Sequence, residues 1–431
     1  MKKLTMRDRA FAKKFAEALE TVHEGNQPVE AVAEILREIR AKGDKAVAQL
    51  GKKFDGVSLS PKDFQLSPEV VDRARRKLPL GVRRILGESR RCVETFHRAS
   101  LPKNWSLRNP HGAIVGERFY PLERVGLYIP GGNVPLVSTV LMTATLAKLA
   151  KVREIAVFTP PGPDGLPNES LLGALGLLGI KEVYRIGGVQ AIGAMAYGTD
   201  SIKPVRKIFG PGNAYVVEAK RQLFGTVGID LLPGPSEVMV IADEKADPAW
   251  VAADLLSQAE HGKGGVIFLA CQSAGFRNQV EKAIRQQLPD RQHRETIESV
   301  LENGFFGIIA PHKEDMAQLA NRIAPEHMEL QVERSLAMYL EKNITTAGAI
   351  LSGPWTPTAV GDFTAGPSHV LPTGSAGVFS SGLRMEDFYR RSSYVRYDKK
   401  SLQKAAPVTD GFSEIESLDA HGYSVQIRCP E

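Results

Sequence analysis

The chain alternates short apolar runs with helix-like segments, and this alternation is the feature that most constrains its fold. Apolar residues at three- and four-residue steps predict helices, and β-rich runs bounded by Gly and Pro predict strands. Repeats of this length are typical of βαβ units with parallel strands. The predicted segments of the first block are a helix near 138–150, a strand at 154–160, a helix over 168–179, a strand at 182–187, a helix over 189–198, a strand at 205–210 and a helix from Asn213 to Phe224.

A second block of the same kind follows. Its predicted segments are a strand at 237–243, a helix over 248–261, a strand at 265–271, a helix over 276–287, a strand at 306–311 and a helix over 313–324. We therefore predict an α/β fold with two Rossmann-like lobes and parallel-type sheets. The predicted boundaries are an N-terminal helical segment at 1–23, a first lobe formed by 24–127 with 236–379, a second lobe at 128–235, and an extended, irregular C-terminal tail at 380–431.

Composition excludes several classes of protein. Of the 431 residues, 43% are apolar and 24% charged, which argues against a disordered chain. No run of 18 apolar residues occurs, so we expect no membrane span, and the N-terminus predicts an amphipathic helix instead of a secretory signal.

Three widely spaced cysteines favour a cytoplasmic location and exclude a cysteine-based metal site. The basic stretch RARRKLPLGVRRILGESRRC is interpreted as a solvated helical face, because no nucleic-acid motif accompanies it.

Glycine-rich stretches follow several predicted strands, although the dinucleotide motif G-x-G-x-x-G is absent. The stretch GPGNAY (210–215) follows a strand and opens a helix, so Gly212 and Asn213 could present backbone N–H groups to a phosphate. A plain tight turn is an equally good interpretation. YIPGGNVP (128–135) and GGVQAIGAMAYG (187–198) are similar, and a ligand crevice is expected at the carboxyl ends of the strands.

Four of the nine histidines lie in compact polar motifs after residue 255, namely His261, His327, His369 and His421. Gln258 and His261 in SQAEHG are three apart and share a helix face, which suits two metal ligands but is also common for caps and surface groups. Asp362 and His369 lie in a Gly/Pro-rich loop, a frequent location for functional groups.

Together these motifs resemble those of the histidinol dehydrogenase family over nearly the full length. The matching stretches are VGLYIPGG, GGVQAIGAMAYGT, KIFGPGNAYV, GPSEVMVIAD, SQAEHG, NRIAPEHMEL, GDFTAGPSHVLPTG, FSSGL and LDAHGYSVQIR. The resemblance implies an enzyme that oxidises L-histidinol to L-histidine through an aldehyde in two NAD-dependent steps, with one zinc ion per subunit. It also implies a homodimer in which the C-terminal tail reaches the partner subunit's site.

The resemblance assigns roles to particular residues. It implies the zinc ligands Gln258, His261, Asp362 and His421. It implies the acid–base pair Glu326 and His327, and the NAD contacts Tyr128, Gln190 and Asn213. It implies the substrate contacts Ser138, Ser236, His369 and Glu416, with His327 and the metal ligands also facing the substrate. Met328 and Phe363 stand where the family pattern leads us to expect Leu and Tyr, which are conservative differences.

These residue types fit the implied chemistry. Amide, imidazole and carboxylate ligands suit zinc, with manganese or cobalt as substitutes, and we expect the metal to orient the substrate. His327 is expected to take the hydroxyl proton, and Glu326 to activate water for the aldehyde step, while Glu260 has an outer-shell or structural role. No cysteine lies in a motif, which argues against a thiohemiacetal route.

Three alternatives stay open at this stage. The same scaffold serves relatives that oxidise other diols or amino alcohols, such as dihydroxypropane sulfonate. A zinc metallohydrolase would use Glu326 to activate water without NAD. A two-lobed binding protein would catalyse nothing. In each case we expect a small-molecule ligand and neither a nucleic acid nor a membrane as partner.

Overall fold

The structure is a computed structural model that describes residues 1–23, 28–131, 135–262 and 264–429. The strands are β1 (Lys2–Thr5), β2 (Trp105–Arg108), β3 (Ile114–Pro121), β4 (Arg124–Tyr128), β5 (Glu154–Phe158), β6 (Glu182–Tyr184), β7 (Lys207–Phe209), β8 (Gly228–Ile229), β9 (Glu237–Ala242), β10 (Val266–Cys271), β11 (Phe305–Ile309), β12 (His327–Gln331), β13 (Ala349–Ser352) and β14 (Tyr389–Arg396). The helices are α1 (Phe11–His23), α2 (Val29–Lys42), α3 (Asp44–Phe54), α4 (Pro68–Lys77), α5 (Leu80–Ala99), α6 (Val137–Leu149), α7 (Glu169–Leu177), α8 (Gly188–Tyr197), α9 (Ala214–Leu223), α10 (Pro248–Ala259), α11 (Ala274–Gln287), α12 (Arg294–Asn303), α13 (Lys313–Ile323), α14 (Arg334–Asn343), α15 (Thr358–Val360), α16 (Lys399–Ile415) and α17 (Asp419–Gln426).

The chain forms two compact units. The first unit comprises Met1–Ala99 with Glu123–Arg384, and the second comprises Ser100–Leu122 with Met385–Glu431. Both parallel sheets belong to the first unit, which confirms the predicted α/β fold. In the described part of the chain, no helix is both long and apolar enough to cross a membrane.

A five-stranded parallel sheet has the order β6-β5-β4-β7-β8. The order reverses beside β4, because β5 lies on one side of it and β7 on the other. Such a switch point leaves a crevice at the carboxyl ends of the two strands, where sheets of this class bind ligands. The predicted strand–helix alternation of the first block is confirmed by this sheet and its crossover helices.

Helices α2 and α3 pack on this five-stranded sheet, whereas residues 24–127 are predicted to belong to the other lobe. Ile39 and Val47 are buried in the same core cluster as Tyr128. A Cβ on Gly193 of α8 would lie 2.7 Å from Ile39 Cδ1, so this glycine allows close approach of the two helices. Helical periodicity shows which face of a helix is buried, but not which sheet buries it.

A six-stranded parallel sheet has the order β1-β11-β10-β9-β12-β13. Its β9–β11 part matches the strands predicted for the second block, and apolar clusters cover both faces. The predicted N-terminal helical segment is corrected at its start, because Lys2–Thr5 forms the edge strand β1 and pairs with β11. Four residues are too few to show a period, and their strand conformation depends on this pairing.

The second unit contains the antiparallel sheet β14-β3-β2 and two helices. The predicted extended, irregular tail is therefore corrected, because β14, α16 and α17 account for most of its residues. Asp398 and Ser401 form a capping box that fixes the start of α16. The two helices and the residue after α17 leave large apolar side chains exposed, namely Phe412, Ile415, Tyr423 and Ile427.

Candidate active site

Glu326 and His327 lie where the chain enters the six-stranded sheet. Ala324 ends α13 in the left-handed region with a φ of 48°, and His327 is the first residue of β12. The pair therefore occupies the amino-terminal edge of the sheet, between β9 and β13. Both residues are only 6% exposed. A charge on either side chain is costly at this depth unless an opposite charge or a hydrogen bond compensates it.

The imidazole of His327 lies between two carboxylates. Its Nδ1 is 3.7 Å from Glu326 Oε2, and its Nε2 is 3.3 Å from Asp362 Oδ1. Glu326 Oε2 accepts a hydrogen bond of 2.9 Å from the backbone N–H of Glu237, and His327 Nδ1 lies 3.3 Å from the carbonyl oxygen of Glu237. The first residue of β9 thus contacts both members of the pair.

These surroundings shift the pKa values of both side chains. Burial raises the pKa of Glu326 to about 7, against the opposing charge of His327 and the Glu237 N–H. Burial acts to lower the pKa of His327, but the contact with Asp362 and the charges of Glu326 and Asp362 raise it to about 9. A carboxyl group that titrates near pH 7 is suited to both accepting and donating a proton.

Asp362 interacts with three histidines. It lies in the π-helical turn Gly361–Ala365. Burial acts to raise its pKa, but interactions with His327, His369 and His261 hold the pKa of Asp362 below its usual value. Burial lowers the pKa of His369, whose Nε2 has no hydrogen-bond partner among the described residues. The structure therefore places three predicted site histidines within electrostatic reach of one carboxylate, and one of them, His327, in direct contact with it.

Gln258 lies in the last turn of α10 and is 2% exposed. Its Nε2 has no hydrogen-bond partner in the described part of the chain. His261 lies two residues beyond the helix and is exposed, and its N–H donates to the Gln258 carbonyl oxygen at 3.2 Å. Within the described ranges, no group of three or more His, Cys, Asp and Glu side chains could hold a metal ion. Of the four predicted ligands, the first unit supplies Gln258, His261 and Asp362.

The other predicted substrate contacts are dispersed. Ser236 directly precedes β9, and its carbonyl oxygen accepts a hydrogen bond of 3.1 Å from Val266. Ser138 lies in the first turn of α6, on the five-stranded sheet. Glu416 caps the C-terminus of α16, and His421 lies in α17, so both belong to the second unit.

Tyr128 and Asn213 flank the switch point of the five-stranded sheet. Tyr128 ends β4, and Asn213 follows β7 and caps α9 by accepting hydrogen bonds from the next helical N–H groups. Gly210 has a φ of 114°, and a Cβ there would lie 2.0 Å from the carbonyl oxygen of Tyr128. GPGNAY therefore forms a tight turn pressed against the end of β4. Residues 132–134 of the glycine-rich YIPGGNVP stretch lie outside the described residues.

Gln190 is buried near the start of α8, and its Nε2 donates to Asp55 Oδ2 at 3.1 Å. The Tyr128 hydroxyl accepts a hydrogen bond of 3.1 Å from the N–H of Gly188. Beyond the carboxyl ends of β4 and β5 lies a cleft of about 890 Å³, whose lining includes Arg73 and Thr159. The three predicted NAD contacts thus lie at or near the carboxyl edge of the five-stranded sheet.

Two acidic residues of this region were missed by the sequence analysis. Glu237 contacts Glu326 and His327 through its backbone, and burial raises the pKa of its own carboxyl to about 7. Asp55 receives the Gln190 hydrogen bond, and burial raises its pKa. A glutamate at the start of the apolar strand GPSEVMVIAD was a usable signal, because a charge there is costly. No sequence feature distinguished Asp55 from an ordinary surface aspartate.

Comparison with known proteins is consistent with this geometry. The sequence profile of the histidinol dehydrogenase family matches residues 20–429. Histidinol dehydrogenase of Rhizobium meliloti (strain 1021) is 42% identical over 427 residues, which are 99% of this chain and 98% of that protein. The Synechococcus enzyme is 41% identical over 92% of this chain and 91% of its own length. The crystal structure of histidinol dehydrogenase from Elizabethkingia anophelis superposes with a TM-score of 0.92 at 32% identity, covering 99% of this chain and 98% of that one. The chain therefore belongs to the histidinol dehydrogenase family of oxidoreductases.

Proposed function

We propose that the chain oxidises L-histidinol to L-histidine through L-histidinal, using two NAD per histidine. This reaction provides the last steps of histidine biosynthesis. The observation that carries the proposal is the buried Glu326–His327 pair, with His327 Nε2 3.3 Å from Asp362, in a chain of this family. Oxidation of an alcohol to an acid requires a proton acceptor in each half-reaction and a water in the second, and the pair offers two proton acceptors side by side.

His327 is the proton acceptor for the alcohol. NAD, when bound, supplies the hydride acceptor in both steps. His327 must lose its own proton first, and neutralising the charge of Asp362 would remove interactions that raise the pKa of His327. Glu326, whose pKa is raised to about 7, takes the proton from the water that adds to the aldehyde. Before this transfer, the Glu237 N–H stabilises the ionised form of Glu326.

A divalent cation, Zn²⁺ with Mn²⁺ or Co²⁺ as substitutes, fits the donor set. Gln258 offers the oxygen of a buried amide, His261 an imidazole and Asp362 a carboxylate. Nitrogen and oxygen donors of this kind suit a borderline ion. We assign the fourth position to His421 of a second copy. The cation, when bound, supplies a fixed point that orients the substrate.

Substrate and cofactor are assigned to the two sheets. Tyr128, Gln190 and Asn213 contact NAD at the carboxyl edge of the five-stranded sheet, where the switch point favours a dinucleotide. The substrate contacts are Ser138, Ser236, Gln258, His261, His327, Asp362, His369, Glu416 and His421.

The protein acts as a homodimer with shared sites. The exposed apolar side chains on α16 and α17, such as Ile415 and Tyr423, support docking of the tail on a second subunit. Reciprocal exchange of tails closes a two-fold dimer. The described cysteines are free thiols, which supports a reducing, cytoplasmic location.

The test is NADH formation by the purified, Zn²⁺-supplied protein on addition of L-histidinol. The proposal expects two NADH per histidine formed, and L-histidinal should be oxidised without added alcohol. Oxidation of dihydroxypropane sulfonate in preference to histidinol would replace the substrate but keep the reaction type. Absence of NADH with every alcohol tested would refute the proposal and leave a hydrolase or a binding protein.

A further inference from the structure

A buried pair of acidic side chains lies behind the candidate site. Asp254 is on α10, and Glu329 is on β12, where it is completely buried. Residues two apart on a strand point to the same face, so Glu329 and His327 share one face of β12. Asp254 precedes Gln258 by about one helical turn. The pair thus joins the two elements that carry Gln258 and His327.

Hydrogen bonds extend the pair to a third element. Glu329 Oε1 accepts bonds of 2.6 and 2.5 Å from the backbone N–H and the hydroxyl of Thr358. Asp254 Oδ2 accepts a bond of 2.8 Å from Gln331 Nε2. Thr358 opens α15, and Asp362 follows four residues later. The elements that carry a predicted base and two predicted metal ligands therefore meet at one polar chain.

One shared proton is needed to complete this chain. Glu329 Oε2 is buried and has no hydrogen-bond partner among the described residues. The Asp254 carboxyl, which Gln331 ties to the same strand, is close enough to feel the charge of Glu329. Burial and the charge of Glu329 raise the pKa of Asp254 to about 8. A proton on Asp254 would supply the missing donor to Glu329 Oε2, and both carboxyl groups would then be satisfied with a single negative charge between them.

We propose that Asp254 and Glu329 are positioning residues, which fix the relative positions of Gln258, His327 and Asp362 by locking α10, β12 and the start of α15 together. The proposal rests on the proposed function for the roles of those three residues. Neither acidic residue is placed in contact with substrate or cofactor. Their effect is on geometry, and a misplacement of about 1 Å can cost about 100-fold in rate.

Amide substitutions test the shared proton directly. In Asp254→Asn, the new N–H donates to the Glu329 carboxylate, and the amide oxygen still accepts from Gln331. In Glu329→Gln, the new N–H donates to the Asp254 carboxylate, and the amide oxygen still accepts from Thr358. Each single variant keeps one bridging hydrogen and one negative charge. The double variant places two N–H donors against each other with no acceptor, so it breaks the chain.

The experiment measures kcat and KM for histidinol per folded protein, and Zn²⁺ affinity by competition with a chelator, for wild type, both single variants and the double variant. Each single variant should stay within about threefold of wild type in kcat. The double variant should lose about 100-fold in kcat and about 10- to 100-fold in Zn²⁺ affinity. Restoring either acidic residue in the double variant should recover both quantities.

Several results would overturn the proposal. One is a double variant whose fractional loss of kcat equals the product of the fractional losses in the two single variants. Another is a loss of activity that is fully explained by the fraction of unfolded protein. If the double variant does not fold, Thr358→Val removes one donor to Glu329, and Thr358→Ser keeps it. Equal kcat and Zn²⁺ affinity in these two variants would also overturn the proposal. A wild-type protein that binds Zn²⁺ but forms no NADH would refute the proposed function alone, because the Zn²⁺ affinities of the variants still decide this proposal.

Discussion

Lys220→Met tests whether a buried ion pair holds the turn that carries Asn213. Lys220 and Asp230 form an ion pair in which both side chains are 0% exposed. Lys220 Nζ donates to the carbonyl oxygen of Gly210 at 3.0 Å, and Asp230 Oδ2 accepts from the N–H of Gly210 at 2.7 Å. The pair therefore satisfies both backbone groups of the residue that presses against the end of β4 at Tyr128.

The size of the stability loss expected for Lys220→Met follows from the burial of both charged side chains. Removing the ammonium group leaves a carboxylate without its counter-charge and a carbonyl without its donor. Loss of one member of a buried pair costs about 3–5 kcal/mol, so the free energy of unfolding should fall by about that amount. Lys42→Met is the matched control, because Lys42 pairs with Glu38 at the surface, and such pairs contribute roughly 0–1 kcal/mol.

Urea unfolding followed by circular dichroism measures the stability change, and histidinol oxidation at varied NAD concentration measures the KM for NAD. We expect Lys220→Met to raise the KM for NAD, since a loosened turn displaces Asn213, and to change kcat less. Stability no lower than that of Lys42→Met would refute the energetic reasoning. A large loss of stability with an unchanged KM for NAD would refute the link between the turn and the cofactor.

Four further predictions concern the site, the subunits and pH. Glu326→Gln should impair aldehyde oxidation more than alcohol oxidation in separate half-reaction assays, because only the aldehyde step consumes water, whereas His327→Gln should slow the alcohol step by about 100-fold or more. Chelation should abolish NADH formation, and Zn²⁺ or Mn²⁺ should restore it; full activity of protein shown to be metal-free would count against this. Asp362→Ala and His421→Ala should each be nearly inactive alone, but equal mixtures that exchange subunits should recover roughly a quarter of wild-type activity, because half of the dimers then contain one intact site. Burial lowers the pKa of His97 from 6.5 to about 4, so stability should fall as the pH drops from about 6.5 toward 4, and urea titrations across this window should show a smaller fall for His97→Gln.

The strands and helices of the two blocks could be predicted because their signals are local. Periodicity and the Gly/Pro boundaries placed elements such as β9–β11 and α6–α9 within a few residues of their observed ends. The partners of these elements could not be predicted in the same way. Helix α2 packs where Gly193 leaves room for Ile39, and β1 pairs with β11, and neither contact can be read from a local pattern.

In the candidate site, too, local features could be predicted and long-range contacts could not. The polar motifs indicated which side chains to examine, but not that Asp362 lies 3.3 Å from His327, since the contact joins residues far apart in the chain. The hydrogen-bonded chain through Asp254 and Glu329 was missed for a similar reason. Each of these acidic residues alone looked like an ordinary charge beside an apolar run, and only the three-dimensional contacts show which elements they join.

The predicted NAD contacts and the predicted metal ligands of the first unit lie at opposite kinds of strand ends. In a parallel sheet, a helix that follows a strand begins at the carboxyl edge and ends at the amino edge. The carboxyl edge therefore presents helix N-termini, which favour anions such as the phosphates of a dinucleotide, and Asn213 lies there at the start of α9. The amino edge presents helix C-termini, which favour cations, and Gln258 and His261 lie there at the end of α10. At that edge the backbone N–H of Glu237, the first residue of β9, also donates to the Glu326 carboxylate and stabilises it. The proposed placement of the dinucleotide at one edge, and of the cation with its acid–base pair at the other, thus matches each ligand to the backbone charge that favours it.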